Sequence, residues 1–195
     1  MLIGLTGDRR SGKDTVADYL VRKYDFEKYA FADPMKKALK ILFAFDDDQL
    51  WGDKKEDIDK RWNVSPREVM QKFATDFIQF DLYKYFPEIE KKVPKRKFWC
   101  ILFETWYKNK YHKNLFNVVI SDMRFIHEAD TVRDCNGRIW LITRKKEIIY
   151  NIDSHLSETE LKQITPDIHI KNDGTIEELY KKIDNLMIDY GKRRI

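Results

Sequence analysis

The chain has 195 residues and carries 37 basic against 33 acidic residues, a net charge of +4 at neutral pH. Its length suits one domain with a substantial core, and its small charge excess argues against nucleic acid as a partner. Two cysteines are too few for a disulfide scaffold, and no apolar stretch is long enough to span a membrane. We therefore expect a cytoplasmic protein that binds neither nucleic acid nor membrane.

The first predicted elements are a strand, a glycine loop and a helix. Leu2–Thr6 is a short apolar run, and apolar residues recur at helical spacing after Gly12. Between them stands the phosphate-binding-loop pattern of two glycines with four residues between them, followed by a lysine. Such a loop aims backbone amides and a helix N-terminus at phosphates, which the lysine also reaches. The residues of this predicted ATP site are Gly7, Arg9, Arg10, Ser11, Gly12, Lys13, Asp14 and Thr15.

Asp14 stands where the loop pattern usually has the serine or threonine that binds Mg²⁺. A carboxylate is also a hard oxygen ligand, and it could hold Mg²⁺ directly or through water. The alternative is that Asp14 only stabilises the first helical turn through its negative charge.

The next predicted elements are a strand at Tyr29–Ala32 and a helix that runs to Leu42. Asp33 is placed to cap this helix, and Pro34 to occupy its first turn. Residues 45–63 are acidic and then mixed in charge, which is typical of a mobile or inserted segment.

Two further helices are predicted before the chain returns to strands. Ser65-Pro-Arg-Glu68 has the form of a capping box, and it opens a helix that runs to about Tyr85. An apolar helix follows around Trp99–Tyr107. We expect residues 45–114 to form a helical substrate-binding insertion at one edge of a sheet, between core segments at about 1–44 and 115–195 of a single domain.

The second half of the chain alternates strands with helices. Strands are predicted at Phe116–Asp122, Arg138–Thr143 and Asp167–Ile170, and helices at Arg124–Asp134 and Ile176–Ile188. Five strands that alternate with helices indicate an α/β fold with a doubly wound parallel sheet. Together with the glycine loop, this pattern predicts the three-layer P-loop fold.

The third predicted strand ends in a carboxylate, and an arginine follows two residues later. Asp122 has the form of a Walker B carboxylate near Mg²⁺, and Arg124 would project towards the transferring phosphate. Asp-x-Arg after a strand is by itself more often a structural pair. After a phosphate-binding loop it indicates catalysis, and we expect Asp14 and Asp122 as the ligands of Mg²⁺.

Four segments, RRSGKDTVADYL, SPREVMQKFATD, SDMRFIHEAD and IKNDGTIEELYKKI, carry a family resemblance. Their order and approximate spacing resemble those of the deoxynucleoside monophosphate kinases of large DNA phages and giant viruses, which carry the same Gly-Lys-Asp-Thr loop. The resemblance runs from Leu2 to about Ile188, although residues 45–63 match poorly and Ala74 replaces a glycine of the family. It implies ATP- and Mg²⁺-dependent phosphorylation of deoxynucleoside monophosphates, in the host cytoplasm or a viral factory.

The resemblance also implies an acceptor site. The acceptor phosphate would be held by Lys36, Arg67 and Arg124. Lys36 and Arg67 also lie near the starts of predicted helices, where the helix dipole adds to their charge. An ordinary solvated charge is the alternative for both. The candidates for reading the base are Gln71, Asp76 and Trp99, of which Trp99 could instead belong to the core.

Residues 144–161 fall where P-loop monophosphate kinases carry a lid that closes over ATP. Arg144 would stabilise the transferring charge or lie over adenine, and a surface charge is the alternative. Asn172 and Gly174, after the last strand, resemble the family's adenine-contacting loop, and the same residues could also cap a helix.

Two other functions remain open. P-loop kinases of phosphomevalonate or dephospho-coenzyme A share the glycine loop and the late Asn-x-Gly turn, but Arg67, Gln71 and Asp76 favour a pocket that reads a base. A nucleotide-binding module or motor part would use ATP to change shape, which the modest net charge disfavours. A homodimer is compatible with the sequence.

Overall fold

The structure is a computed structural model, and it describes residues 1–111, 116–145 and 160–192. In these residues five strands form one sheet in the order β2-β3-β1-β4-β5, and all of its neighbouring strands are parallel. The strands are β1 Leu2–Thr6, β2 Phe26–Tyr29, β3 Asn117–Ile120, β4 Arg138–Thr143 and β5 Ile168–Lys171. The predicted α/β fold with a parallel sheet is therefore confirmed.

Helices connect and flank these strands. In the described residues they are α1 Lys13–Tyr24, α2 Asp33–Leu42, α3 Asp47–Leu50, α4 Pro66–Gln71, α5 Leu82–Tyr85, α6 Pro87–Glu90, α7 Phe98–Tyr111, α8 Ile126–Asp134 and α9 Ile176–Lys192. Between α4 and α5 the helix continues as a π-helical segment, Lys72–Asp81. None of the described helices is both long and apolar enough to cross a membrane.

The chain divides into two compact units. We call Met1–Ala30 with Lys108–Ile195 the sheet unit, and Phe31–Tyr107 the helical unit. The helical unit starts earlier than the predicted insertion at residue 45, because α2 packs against α3 and α4.

The core of the sheet unit lies between the central strands and helices α1 and α9. Every residue of β1 is buried, and apolar side chains from neighbouring strands and both helices complete the cluster, among them Leu5, Leu20, Val119, Trp140 and Ile183. Burial of this cluster fixes the point at which β1 ends and the glycine loop begins.

A polar network joins α1 to α9 beside this core. Asp184 accepts hydrogen bonds from the hydroxyls of Tyr19 and Tyr24, at 2.8 and 2.7 Å, and from Lys23 Nζ at 2.8 Å. The Tyr19 ring stacks on Tyr180, with 3.8 Å between the ring centroids. Burial, together with the hydrogen bond to Asp184, raises the pKa of Tyr24 to about 12. The network holds the helix that follows the glycine loop against the last helix.

The helical unit includes the segment that the sequence predicts as mobile or inserted, and this segment is folded. Phe45 and Leu50 are fully buried, and a capping box between Asp46 and Gln49 starts α3. Gln49 Nε2 donates to the buried carboxylate of Asp59 at 2.8 Å, and Arg61 donates to the same carboxylate at 2.6 Å. These hydrogen bonds hold the pKa of Asp59 well below its usual range. These contacts build the segment into the helical unit.

Two local predictions also need correction. The second strand is Phe26–Tyr29 rather than Tyr29–Ala32, because Phe26 is buried and pairs with Asn117 at the start of β3. Asp33 does not cap α2, whose N-cap residue is Ala32. The Asp33 carboxylate instead accepts a hydrogen bond from Trp51 Nε1 at 3.0 Å. By contrast, the predicted N-cap is confirmed at Ser65, whose hydroxyl accepts from the backbone of Glu68 at 3.2 Å.

Candidate active site

The glycine loop is a tight turn between β1 and α1. Gly7 and Gly12 have φ angles of +142° and +103°, which favour glycine. A Cβ atom on Gly7 would lie 2.1 Å from the carbonyl oxygen of Ile142, and one on Gly12 would lie 2.4 Å from Asn172 Nδ2. Glycine is therefore required at both positions, by the backbone conformation and by the lack of space for a Cβ atom. Helix α1 begins at Lys13, so its N-terminus lies at the loop.

Lys13 lies within a group of charges at this loop. Its Nζ donates to the carbonyl oxygens of Gly7 and Asp8, at 2.8 and 2.7 Å. Burial, together with the positive charge of Arg124, lowers the pKa of Lys13 to about 8, although Asp14, Asp8 and Asp122 act in the opposite direction. The charges of Arg124 and Asp122 thus both act on Lys13. The other loop arginines, Arg9 and Arg10, are exposed.

Asp122 and Arg124 follow β3, which neighbours β1 in the sheet. Asp122 is half-buried and Arg124 is exposed. Because parallel strands end at the same edge of a sheet, both residues lie at the edge from which the glycine loop emerges. A carboxylate and two cations at the carboxyl edge are suited to hold a phosphate and its counterion.

Glu128 belongs to this region, although the sequence analysis assigned it no role. It is only 5% exposed, and its Oε2 accepts hydrogen bonds from the backbone nitrogens of Arg124 and Phe125, at 2.7 and 3.0 Å. Burial, together with the negative charge of Asp122, raises the pKa of Glu128 to about 8. An acidic residue three positions after the residue that precedes α8 was the available signal. Glu128 fixes the turn that carries Arg124.

Most of the predicted lid, residues 146–159, lies outside the described residues. Arg144 is exposed at the end of β4, and the next backbone nitrogen, of Lys145, donates to Asp173 Oδ1 at 2.6 Å. At the other end of the lid, the carboxylate of Glu160 accepts from the backbone nitrogen of Ile126, in the first turn of α8, at 3.4 Å. The described residues on either side of this stretch are thus bonded, Lys145 to the 172–174 turn and Glu160 to α8.

Asn172 connects three parts of the site. Its backbone nitrogen donates to Thr143 at the end of β4, at 2.7 Å, and its Nδ2 donates to the carbonyl oxygen of Ser11 at 2.9 Å. Asn172 does not cap the last helix. Just after Gly174, Thr175 and Glu178 provide that cap through reciprocal hydrogen bonds of 3.3 and 3.0 Å. The observed role of Asn172 is to support the glycine loop.

Asp14 is an exposed residue in the first turn of α1. Its side chain is 81% exposed and lies 3.4 Å from Lys28 Nζ, which also binds Asp18 at 2.9 Å. Within the described residues, no group of three or more histidine, cysteine or acidic side chains could hold a metal ion. Mg²⁺ is commonly held by one or two carboxylates and by substrate phosphates. Asp122 and Asp14 are the carboxylates that such binding would use, and the neighbouring Thr15 has a hydroxyl suited to a phosphate oxygen.

The remaining predicted acceptor residues lie in the helical unit. Lys36 Nζ is 5.5 Å from the ring centroid of Trp51. Arg67 donates through Nε to Glu56. Gln71 and Asp76 are both exposed on the helix that follows, Asp76 within its π-helical segment. π-Helical turns are often found at functional sites.

Trp99 occupies a core position. It is 7% exposed, and its Nε1 donates to the carbonyl oxygen of Ala74 at 3.2 Å. The core alternative is therefore favoured over stacking on a base, and Trp99 supports the π-helical segment next to Asp76.

Fold and loop together are those of a P-loop protein. The sequence profile of the deoxynucleotide monophosphate kinase family matches residues 1–51 and 48–183, which is nearly the whole chain. The chain belongs to this family and is a kinase.

Individual relatives agree with this assignment. The chain is 39% identical over 188 residues to a protein of Acanthamoeba polyphaga mimivirus named as a deoxynucleotide monophosphate kinase, covering 94% of each chain. It is 26% identical to the deoxynucleotide monophosphate kinase of Enterobacteria phage T4, covering 95% of this chain and 98% of the other. A dephospho-CoA kinase of Fusobacterium nucleatum is 30% identical, with 94% of this chain and 95% of the other covered. Among solved structures, shikimate kinase from Aquifex aeolicus shares the fold, with a TM-score of 0.54, 20% identity and 98% coverage of both chains.

Proposed function

We propose that the protein transfers the γ-phosphoryl group of ATP to a deoxynucleoside monophosphate, which gives ADP and a deoxynucleoside diphosphate. The proposal is carried by the family to which the chain belongs, and it is supported by the position of Lys13 at the glycine loop and of Asp122 and Arg124 just after the neighbouring strand β3. Phosphoryl transfer depends mainly on positioning and on neutralisation of charge, and these residues are suited to both tasks.

The ATP phosphates would bind at the glycine loop. Backbone amides of residues 7–13 and the N-terminus of α1 would face the phosphate oxygens. Lys13 would exchange its carbonyl partners for the outer phosphates, and it is mostly charged at neutral pH because its pKa is about 8. Asn172 would keep the loop in shape through Ser11, and Gly174 in the same turn would lie beside the adenine.

Mg²⁺, when bound with ATP, would neutralise part of the phosphate charge. Asp122 would hold the ion or its waters. Asp14 could join it by leaving Lys28, whose other carboxylate partner, Asp18, would remain. Arg124 would spread the charge of the transferring group, and the Glu128 carboxylate would keep the backbone of Arg124 in place.

The acceptor would bind to side chains of the helical unit. Lys36 and Arg67 would hold its phosphate with Arg124, and Gln71 and Asp76 would read the edges of its base. Residues 144–161 would close over ATP and bring Arg144 to the site. Closure would exclude water, which otherwise competes as the acceptor. The homodimer and the lack of a nucleic-acid or membrane partner stay predictions.

A kinase for dephospho-coenzyme A is the second candidate, since a kinase of that kind is 30% identical to the chain. An acceptor panel separates the two candidates. Purified protein with ATP and Mg²⁺ would be assayed for ADP release with dTMP, dGMP, dCMP, dAMP, their ribose counterparts and dephospho-coenzyme A. We expect stimulation by at least one deoxynucleotide, and its loss in Lys13→Ala. Stimulation by dephospho-coenzyme A alone would reject the proposal.

A further inference from the structure

One short segment of the helical unit touches two of the proposed phosphate-binding residues. Segment 46–57 contains α3 and a 3₁₀ turn, Lys54–Glu56. The ring of Trp51 lies 5.5 Å from Lys36 Nζ, within cation–π range. Five residues later, the Glu56 carboxylate accepts from Arg67 Nε. Both proposed acceptor cations of the helical unit therefore have a partner in this segment.

The segment is held firmly enough to position these partners. Leu50 is fully buried, Asp46 caps α3, and Gln49 Nε2 bonds the buried Asp59 at 2.8 Å. Trp51 itself is fixed at its edge, because Nε1 donates to Asp33 at 3.0 Å. Asp33 and Lys36 lie on the same helix, α2, so the indole contacts α2 through both its edge and its face.

The Glu56 contact leaves the phosphate-binding side of Arg67 available. A guanidinium has five N–H donors in a planar fork, and its two terminal nitrogens are suited to bind phosphate in a bidentate manner. Within the described part of the chain, only Nε of Arg67 is hydrogen-bonded to a side chain. The Glu56 carboxylate on Nε orients the Arg67 guanidinium and restricts its rotation. Less conformational entropy is therefore lost when a phosphate binds to the two terminal nitrogens.

The family profile matches in two pieces, residues 1–51 and 48–183, which meet inside the segment. Lys36 and Arg67 fall in the matched pieces on either side of this junction.

We propose that Trp51 and Glu56 are positioning residues of the acceptor site, which hold Lys36 and Arg67 so that their charged groups face the acceptor phosphate. This inference rests on the proposed function, because it needs a phosphorylated acceptor at Lys36 and Arg67. It assigns segment 46–57 to the control of acceptor affinity.

Steady-state kinetics of Glu56→Gln and Trp51→Phe test the inference, with the deoxynucleotide that the wild type prefers. We expect the KM for the acceptor to rise by about 2- to 5-fold in each variant, as for the loss of one partly exposed ionic or cation–π contact. The KM for ATP and kcat should change by less than about twofold. In an Arg67→Ala background, Glu56→Gln should have no further effect.

Two control variants match the test variants. Glu68→Gln removes a carboxylate next to Arg67 in sequence, but Glu68 pairs with Lys72 at 2.7 Å. Trp62→Phe changes another partly exposed tryptophan, whose Nε1 donates to the carbonyl oxygen of Phe43 at 2.8 Å. Neither control should raise the KM for the acceptor, and Glu56→Gln should melt at the wild-type temperature because its side chain is exposed.

Three outcomes decide the matter. If no deoxynucleotide stimulates the wild type, the proposed function fails and the inference fails with it. If the wild type is active but Glu56→Gln leaves or lowers the KM for the acceptor, the inference is overturned while the function stands. A lower KM would mean that Glu56 competes with the acceptor phosphate. If the KM for ATP rises as much as the KM for the acceptor, the role is general and the inference is also overturned.

Discussion

Replacement of Glu128 by glutamine should make the protein more stable at alkaline pH. Glu128 is buried beside Asp122, and its pKa in the folded protein is about 8, compared with 4.5 for an ordinary glutamate. Below pH 4.5 the carboxyl group is protonated in both the folded and the unfolded chain. Between these two pKa values the unfolded chain loses the proton and the folded chain keeps it, so the free energy of unfolding falls as pH rises. Above about pH 8 the carboxyl group is ionised in both states, and the free energy of unfolding has lost the full amount that the buried charge costs.

The size of the effect follows from the two pKa values. Each pH unit between them changes the free energy of unfolding by about 1.4 kcal/mol, so the whole interval corresponds to at most about 5 kcal/mol. The N-terminus of α8 lies next to the carboxylate and favours its charged form by up to about 2 kcal/mol. We therefore expect the difference in the free energy of unfolding between Glu128→Gln and wild type to grow by about 3 kcal/mol, in favour of the variant, from pH 5 to pH 9.

Urea unfolding at several pH values, without nucleotide or Mg²⁺, measures this difference. Glu88→Gln is the control, because Glu88 is an exposed glutamate paired with Lys91 on the surface. A stability difference between Glu128→Gln and wild type that stays constant with pH, or that grows as pH falls, would refute the reasoning. It would mean that the two backbone donors outweigh burial and the charge of Asp122.

Three further predictions follow from other parts of the structure. Because the pKa of Lys13 is about 8 in the free protein, ATP binding measured by calorimetry should weaken above pH 8, approaching tenfold per pH unit, whereas Lys13→Arg should keep a flat profile there. Asn172→Ala removes the hydrogen bond to Ser11 and should raise the KM for ATP by about 3- to 10-fold without changing the KM for the acceptor; an unchanged KM for ATP would mean that Asn172 does not support the loop. Asp184→Asn weakens the bonds to Tyr19 and Tyr24 and should lower the free energy of unfolding by about 1 kcal/mol while both KM values stay the same. Equal urea midpoints would contradict that last expectation.

Elements whose geometry is set locally could be predicted from the sequence. β1, β4 and the glycine loop have the predicted bounds. The two strands are visible as continuous apolar runs, and the loop requires positive φ angles that glycine adopts at positions 7 and 12. The position of β2 was wrong by three residues, since pairing with β3 and burial of Phe26 decide it. A single strand contains no information about its register with a distant one.

Features that depend on distant contacts could not be predicted. Residues 45–63 have the composition of a mobile or inserted segment, and their structure depends on the burial of Phe45 and Leu50 and on the hydrogen bonds of Asp59 with Gln49 and Arg61. The π-helical segment has the same residue pattern as an α-helix, so nothing in the sequence marks it. Glu128 is part of the quoted segment SDMRFIHEAD, but the sequence does not show that its carboxylate is buried and accepts hydrogen bonds from the backbone nitrogens of Arg124 and Phe125.

The central claim is that the glycine loop with Lys13 and the turn with Arg124 catalyse transfer of the γ-phosphoryl group of ATP to a deoxynucleoside monophosphate rather than to water. The most direct test follows the label from ATP carrying ³²P in its γ-phosphoryl group, with Mg²⁺ and the preferred deoxynucleoside monophosphate, in wild type and in Lys13→Ala. We expect the label to accumulate in the deoxynucleoside diphosphate, with little in inorganic phosphate, and Lys13→Ala to lose the transfer. Label that appears only in inorganic phosphate, whatever deoxynucleotide is present, would contradict the account.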